Sequence, residues 1–591
     1  MARQFGKVGV VGVGVRGAGI LEVLARSGLD VVGIETDAAA VARAQQHLEQ
    51  SLAGAVAAGT LTEEQSSETL GRISLRQGLQ DLAECDLVVE AVPEQLHRKL
   101  EIFSQLDEVL PAEAVLASST STLSVTELAA TTRRAGRVLG VRWYSAVAGA
   151  TLVEVTRTVL TDPSVLTDVT SFVEGLGRTT VTVTDRPGHI VDSLLFPYLN
   201  NALGMLEANY ATREDIDAAM RFGCGYPIGP LALLDLIGLD AAYEILDTLH
   251  ARTGDHLHAP APLLKQLVSA GMLGVKSGRG IYTYAAPGST EVTDIGAQSG
   301  PAIELAREVT RIGVIGTGTM ASGIVEVCAK SGYDVVFRAR SDEKVAGVRK
   351  KIEGSLDKQV QRGRLTEDAR NEALSRLTGT TELSDLANCD LVVEAVVEEI
   401  GIKRELFAEL DKVCKPGAVL ATTTSSLPVI ECAMATTRPE DVVGMHWFNP
   451  APAMKLVEVV PTTLTADDVT ATIRAVSLKC RKHPVICGDR AGFIVNALLF
   501  PFLNDAVRLV EDSYASMDEI DLAMKTACKH PMGPFELIDV VGMDVTLAIQ
   551  QTLHEAFREP GLAPAPVLAH LAQAGYLGRK TKRGFRDYSA R

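Results

Sequence analysis

The strongest chemical signal lies in Gly444-Met445-His446-Trp447-Phe448-Asn449-Pro450, followed by Met454-Lys455-Leu456-Val457-Glu458-Val459-Val460. A histidine and a carboxylate at the ends of neighbouring β-like segments form the pair needed to take a proton from an alcohol. The imidazole accepts the proton, and the carboxylate orients the ring and stabilises the imidazolium. Spacing alone does not distinguish such a pair from a structural one, so the surrounding chain has to decide.

A second chemistry comes from glycines. Gly316 and Gly318 follow the apolar run Ile312-Gly313-Val314-Ile315, with Thr319 and Met320 opening the next segment, and Gly12 and Gly14 follow Val8–Val11 in the same way. Glycines at a strand-to-helix junction permit a tight turn and close backbone approach, so a pyrophosphate can face the helix N-terminus. The residue ending the following strand sets the cofactor. Glu35, after Val31–Ile34, suits the ribose 2′-hydroxyl of NAD. After Val335–Arg338 the carboxylate is missing and Ala339-Arg340-Ser341 follows. That is the pattern of a 2′-phosphate site, hence NADP with NAD as the alternative; a simpler reading, in which Arg340 only solvates the strand end, stays open.

The elements that position these residues come in two sets, because the chain repeats with an offset of 304 residues: Gly12 falls on Gly316, Asp86 on Asp390, Pro227 on Pro531 and Gly280 on Gly584. In each copy β-rich runs alternate with amphipathic helical stretches, the pattern of a parallel, doubly wound sheet, and from Phe196 and Phe500 onward apolar residues recur at helical spacing. The expected organisation is a dinucleotide-binding domain over 1–187 and a helical domain over 188–285, then a Pro/Gly/Ser-containing linker over 286–309. A second dinucleotide-binding domain over 310–491 and a second helical domain over 492–591 follow. The two copies and the linker account for the sequence, leaving no hydratase-like segment.

Bulk properties narrow the functional classes. A net charge of −17, with no gathered basic face, argues against nucleic acid. Nine cysteines without C-x-x-C or zinc-ligand spacing, and no charged start followed by an apolar stretch, favour a reduced cytoplasmic compartment, and no apolar run is long enough for a membrane span.

Together with Thr424-Ser425-Ser426-Leu427, Asp489-Arg490-Ala491-Gly492-Phe493-Ile494-Val495-Asn496 and His530-Pro531-Met532-Gly533-Pro534, these segments resemble the L-3-hydroxyacyl-CoA dehydrogenase family over essentially all of copy two. The resemblance implies α/β Rossmann-type domains, each followed by an all-α domain, and interconversion of a 3-hydroxyacyl-CoA, 3-hydroxybutyryl-CoA in first place, with the 3-ketoacyl-CoA. It implies His446 as general acid/base, Glu458 as its partner, and Ser425 and Asn496 as donors to the substrate oxygen. It places Asn449, Glu398 and Lys403 near the nicotinamide, beside the cofactor-binding Gly316, Gly318, Thr319, Met320 and Arg340. The chemistry agrees: hydride leaves C3 while the hydroxyl proton goes to a base, so an imidazole and one or two neutral donors suffice without a metal. Other 3-hydroxyacyl groups, dicarboxylyl or carrier-bound, and a non-catalytic binding protein remain alternatives.

Copy one resembles the same family with losses. Position 142 is arginine where copy two has His446, position 192 is aspartate where it has Asn496, and Asn449 and Pro450 map to Ser145 and Ala146, while Glu154 and Ser121 survive. Arginine is no base near neutral pH, so copy one is expected to be silent. Arg142 is expected either to salt-bridge the retained Glu154 or to lie at the surface. Family dimerisation through helical domains further implies that copy one serves copy two as an internal pseudo-dimer partner, with a further homo-oligomer possible.

Overall fold

The computed structural model describes residues 3–144, 150–296 and 300–589. The Ser145 and Ala146 replacements and the linker stretch Ala297-Gln298-Ser299 lie outside the described residues.

Copy one contributes strands β1 (Val8–Val11), β2 (Val31–Ile34), β3 (Ile73–Arg76), β4 (Leu87–Glu90), β5 (Val115–Ser118), β6 (Val138–Trp143), β7 (Leu152–Arg157) and β8 (Thr179–Thr184). Copy two repeats them as β9 (Arg311–Ile315), β10 (Asp334–Arg338), β11 (Leu377–Thr380), β12 (Leu391–Glu394), β13 (Val419–Thr422), β14 (Val442–Trp447), β15 (Leu456–Pro461) and β16 (His483–Ile486). Each set forms one sheet, ordered β3-β2-β1-β4-β5-β6-β7-β8 and β11-β10-β9-β12-β13-β14-β15-β16. The sheets are mixed, unlike the wholly parallel expectation: β6 and β7 pair antiparallel, as do β14 and β15, while all other neighbours run parallel. Strands covered by helices on both faces read as near-continuous apolar runs, and such runs carry no sign of direction.

The helices that matter for the site are α1 (Val15–Arg26), α2 (His189–Glu207), α3 (Arg213–Cys224), α4 (Thr319–Lys330), α5 (Val495–Glu511) and α6 (Met517–Ala527). Helices α2 and α5 pack on each other in one apolar core that draws on both helical regions, and Tyr226 stacks on His530 with ring centroids 3.8 Å apart. Helix α3 then leans on β15, β16 and α5 of copy two, while α6 leans on β7, β8 and α2 of copy one. Each copy therefore covers part of the other's dinucleotide-binding sheet. The connection between copies is docked: Arg307 bonds Asp468 at 2.8 Å and Asp441 at 2.6 Å. Among the described residues no helix is long and apolar enough to cross a membrane.

Candidate active site

His446 on β14 and Glu458 on β15 are register partners in the antiparallel pair, so their side chains leave the same face. His446 Nδ1 lies 2.6 Å from Glu458 Oε2, with the imidazole 7% exposed and the carboxylate 0%. The other carboxylate oxygen accepts N–H bonds from Ile494 at 3.0 Å and Val495 at 2.9 Å, at the start of α5. Unpaired N–H groups at a helix start suit an anion, and here they fix the carboxylate in one orientation. Phe448 and Phe493 flank the imidazole, with ring centroids at 4.5 and 5.6 Å.

The remaining expected residues fall into two groups. Asn496, in the first turn of α5, donates to Ser425 O at 3.2 Å, which joins both expected donors to the His446 neighbourhood. Ser425 N–H and Oγ both donate to Glu398 Oε1, at 2.7 and 3.2 Å, and Thr424 Oγ1 adds a bond of 2.7 Å. Burial alone would push the Glu398 carboxyl up; Lys403 and these donors hold it below the usual carboxylate range. Lys403 is fully buried, 2.9 Å from Glu394 and 3.3 Å from Glu398, so it reaches a ligand only through Glu398. Asn449 is exposed at the rim, beside a cis bond to Pro450.

The dinucleotide end is built from backbone. Gly316 has φ +137, and a Cβ there would sit 2.3 Å from Ala395 O; at Gly318 a Cβ would meet nothing within 4 Å. Helix α4 starts with Thr319 exposed and Met320 half-buried, and has neither a side-chain cap nor an acidic residue in its first turn. Its free N–H groups therefore face an open cradle that fits a pyrophosphate. Arg340 is exposed just past β10, next to the small buried Ala339, while Arg338 turns to Thr381 O at 3.1 Å. In copy one Glu35 occupies that strand end and accepts the Val13 N–H at 2.5 Å.

Sequence reasoning missed Glu394, the buried anchor of Lys403, and Lys482, whose Nζ donates to Ala451 O and Met454 O at 2.6 Å each and fixes the loop after Pro450. A buried lysine four residues before a strand's end leaves no periodic signal.

Copy one keeps the carboxylate and loses its partner. Glu154 Oε1 accepts from Ile190 and Val191 N–H at 3.1 and 3.2 Å, as Glu458 does in copy two. Arg142 does not pair with it and does not lie at the surface: it is buried and forms its ion pair with Asp192 at 3.2 Å. Tyr144, in the place of Phe448, donates to Glu154 Oε2 at 2.6 Å and lies under the Arg142 guanidinium, 5.1 Å from ring centre. With Arg142 committed to Asp192, burial pushes the Glu154 carboxyl up to about 8 against the Tyr144 and backbone donors. Arg16 replaces Met320 and donates to Ser119 O at 3.0 Å; burial and the nearby Arg142 bring it down to about 10. The same offset that exposed position 142 also marks 16 and 144.

A family profile described as 3-hydroxyacyl-CoA dehydrogenase, NAD binding domain, matches residues 7–186 and 311–490, and the corresponding C-terminal domain profile matches 188–284 and 492–588. A Mycobacterium tuberculosis protein named 3-hydroxybutyryl-CoA dehydrogenase is 44% identical over 282 residues, covering 47% of this chain and 99% of its own. A Clostridioides difficile protein of the same name is 43% identical over 279 residues, covering 47% and 99%. The crystal structure of 3-hydroxybutyryl-CoA dehydrogenase from Escherichia coli covers 97% of this chain and 100% of its own at 24% identity and a TM-score of 0.68, a likeness of fold over both copies.

Proposed function

The chain belongs to the 3-hydroxyacyl-CoA dehydrogenase family, and on that premise we propose that its second copy is the working site and its first a silent one. The protein is an oxidoreductase that interconverts a 3-hydroxyacyl-CoA and the 3-ketoacyl-CoA with a nicotinamide cofactor. The names of its relatives favour a short acyl chain, 3-hydroxybutyryl-CoA foremost.

The observation that carries the reading is the buried 2.6 Å contact between His446 and Glu458, set against Arg142 at the equivalent place in copy one. A bound nicotinamide would supply the acceptor or donor of hydride at C3, held by the Gly316–Gly318 loop and the start of α4. His446 takes the hydroxyl proton in oxidation and returns it in reduction through the ring nitrogen that Glu458 leaves free. Glu458 keeps the imidazole aimed and offsets its charge when protonated. Asn496 donates one amide hydrogen to Ser425 O, and its other polarises the C3 oxygen. Ser425 Oγ, held to Glu398 only at 3.2 Å, is free to turn toward that oxygen as a second donor.

The exposed Arg340 beside Ala339, where copy one has Glu35, supports NADP as the preferred cofactor. Reduction of acetoacetyl-CoA, followed by loss of reduced-nicotinamide absorbance, tests both parts. Turnover with NADPH faster than NADH is expected. A preference for NADH removes the Arg340 argument and leaves the dehydrogenase; no turnover with either cofactor defeats the short-chain assignment.

A further inference from the structure

The two copies hold each other unequally. Tyr210, just past α2, donates to Gly488 O at 2.8 Å, and Asn201 on α2 donates to Ala497 O at 2.9 Å. These two bonds grip, from copy one, the ends of the segment whose Ile494 and Val495 N–H groups hold Glu458 and whose Asn496 faces the site. Neither bond has a counterpart on the other side, where copy two meets the equivalent segment of copy one through an ion pair of half-exposed side chains, Asp512 and Arg186 at 2.8 Å. Tyr514, equivalent to Tyr210, has a buried hydroxyl with no hydrogen-bond partner, and Asp505, equivalent to Asn201, has no amide hydrogen to give.

A third difference is one of residue size at the contact. Gly223 lies in the last turn of α3 with ordinary helical geometry, where glycine costs helix stability relative to alanine. A Cβ at 223 would come within 2.9 Å of Leu456 Cδ2 and 3.0 Å of Val495 Cγ2. The equivalent residue of α6 is Ala527, and it faces copy one, whose wall carries Leu152 and Val191 at the places of Leu456 and Val495. The walls match in residue type, yet one side carries a methyl group where the other has only hydrogen, and a methyl added at 223 would make Leu456 and Val495 shift. Any side chain added at 223 therefore bears on Leu456 and Val495, which flank the anchor of Glu458.

We propose that copy one has a positioning role in the chemistry of copy two: Gly223, Tyr210 and Asn201 press and hold residues 488–497 so that Val495 and Ile494 keep Glu458, and through it His446, in the productive orientation. None of the three is among the residues assigned to substrate or cofactor. The role rests on the assignment of His446 and Glu458 as the acid/base pair. It gives the first copy a reason to persist beyond covering an apolar face, since a bare dimer contact would not distinguish the two sides.

The test exchanges residues between equivalent places in the full-length chain. Gly223→Ala and Asn201→Asp are each expected to lower kcat by about tenfold or more, since sub-ångström misplacement of a catalytic group is costly. They should displace the pH–rate profile and leave KM for the nicotinamide within about twofold. Tyr210→Phe should do the same more weakly. The reciprocal Ala527→Gly and Asp505→Asn should leave kcat and the profile as in wild type. A helix filler at 223 would behave oppositely: alanine would raise the melting temperature and change nothing in turnover. Wild-type kcat and pH profile in both Gly223→Ala and Asn201→Asp, with folding intact by circular dichroism, overturns the proposal. If either is poorly folded, the conservative Tyr210→Phe decides by the same readout. His446→Ala run beside them separates the two levels: its collapse together with unchanged exchange variants defeats only the positioning role, whereas full activity in His446→Ala defeats the acid/base assignment and the positioning role with it.

Discussion

Copies one and two anchor a buried carboxylate in the same way, Glu154 on Ile190 and Val191, Glu458 on Ile494 and Val495, and then hand it different partners. In copy two the free oxygen meets an imidazole that can exchange a proton; in copy one it meets the Tyr144 hydroxyl, and a guanidinium that cannot act as a base is tied to Asp192. The scaffold is thus indifferent to the chemistry it carries. On the proposed division, what distinguishes a working site from a silent one is a handful of side chains on β6 or β14 and on the first turn of the following helix.

The comparison breaks most severely if the copies are separated. Removing residues 1–300 strips α2 and α3 from α5, β15 and β16, and uncovers apolar side chains such as Leu498 and Phe502. The remainder is expected to aggregate or self-associate with little activity; a soluble, monomeric, fully active product by size exclusion and assay would contradict the paired architecture. Next in size, importing the copy-one residue into copy two through Asn496→Asp should cut kcat by about 10² to 10³, the cost of losing one aligned donor, with a carboxylate's charge added beside Glu458. An unchanged kcat would detach Asn496 from the reacting oxygen.

Cofactor choice sharpens the comparison further. Arg340→Ala should lower the NADPH-to-NADH ratio of kcat/KM by about tenfold, and Ala339→Glu, which copies Glu35, should invert it; ratios that stay constant would place the cofactor decision elsewhere.

A further effect concerns stability and leaves turnover aside. A carboxyl raised to about 8 on folding binds its proton more tightly in the native state than the unfolded one. Wild-type stability should therefore fall as pH rises from the ordinary value of 4.5 through about 8. Glu154→Gln cannot ionise, so its stability relative to wild type should grow by about 1 kcal/mol per pH unit across that window. Parallel denaturation curves at every pH would refute an uncharged Glu154.

The glycine loops and the duplication were legible because each depends on local pattern or on a constant offset, whereas the His446–Glu458 pairing, ambiguous by spacing alone, was read through the family resemblance of the segments around it. The reversal of β7 and β8 was not, since buried strands look alike in either direction. The partner of Arg142 was misjudged between Glu154 and solvent because Asp192 arrives from the first turn of α2, a position read only as a lost amide. The unequal grip between copies was invisible as well: Tyr210 and Gly488 stand 278 residues apart, and only folding brings them together.

The division into one working and one silent site is tested most directly by kcat for acetoacetyl-CoA reduction in two parallel variants, His446→Ala and Arg142→Gln, normalised to folded protein. A fall of about 10² to 10⁴ in the first, with wild-type turnover in the second, is the expected result. Comparable turnover in both, or a loss in Arg142→Gln as deep as in His446→Ala, would contradict the account.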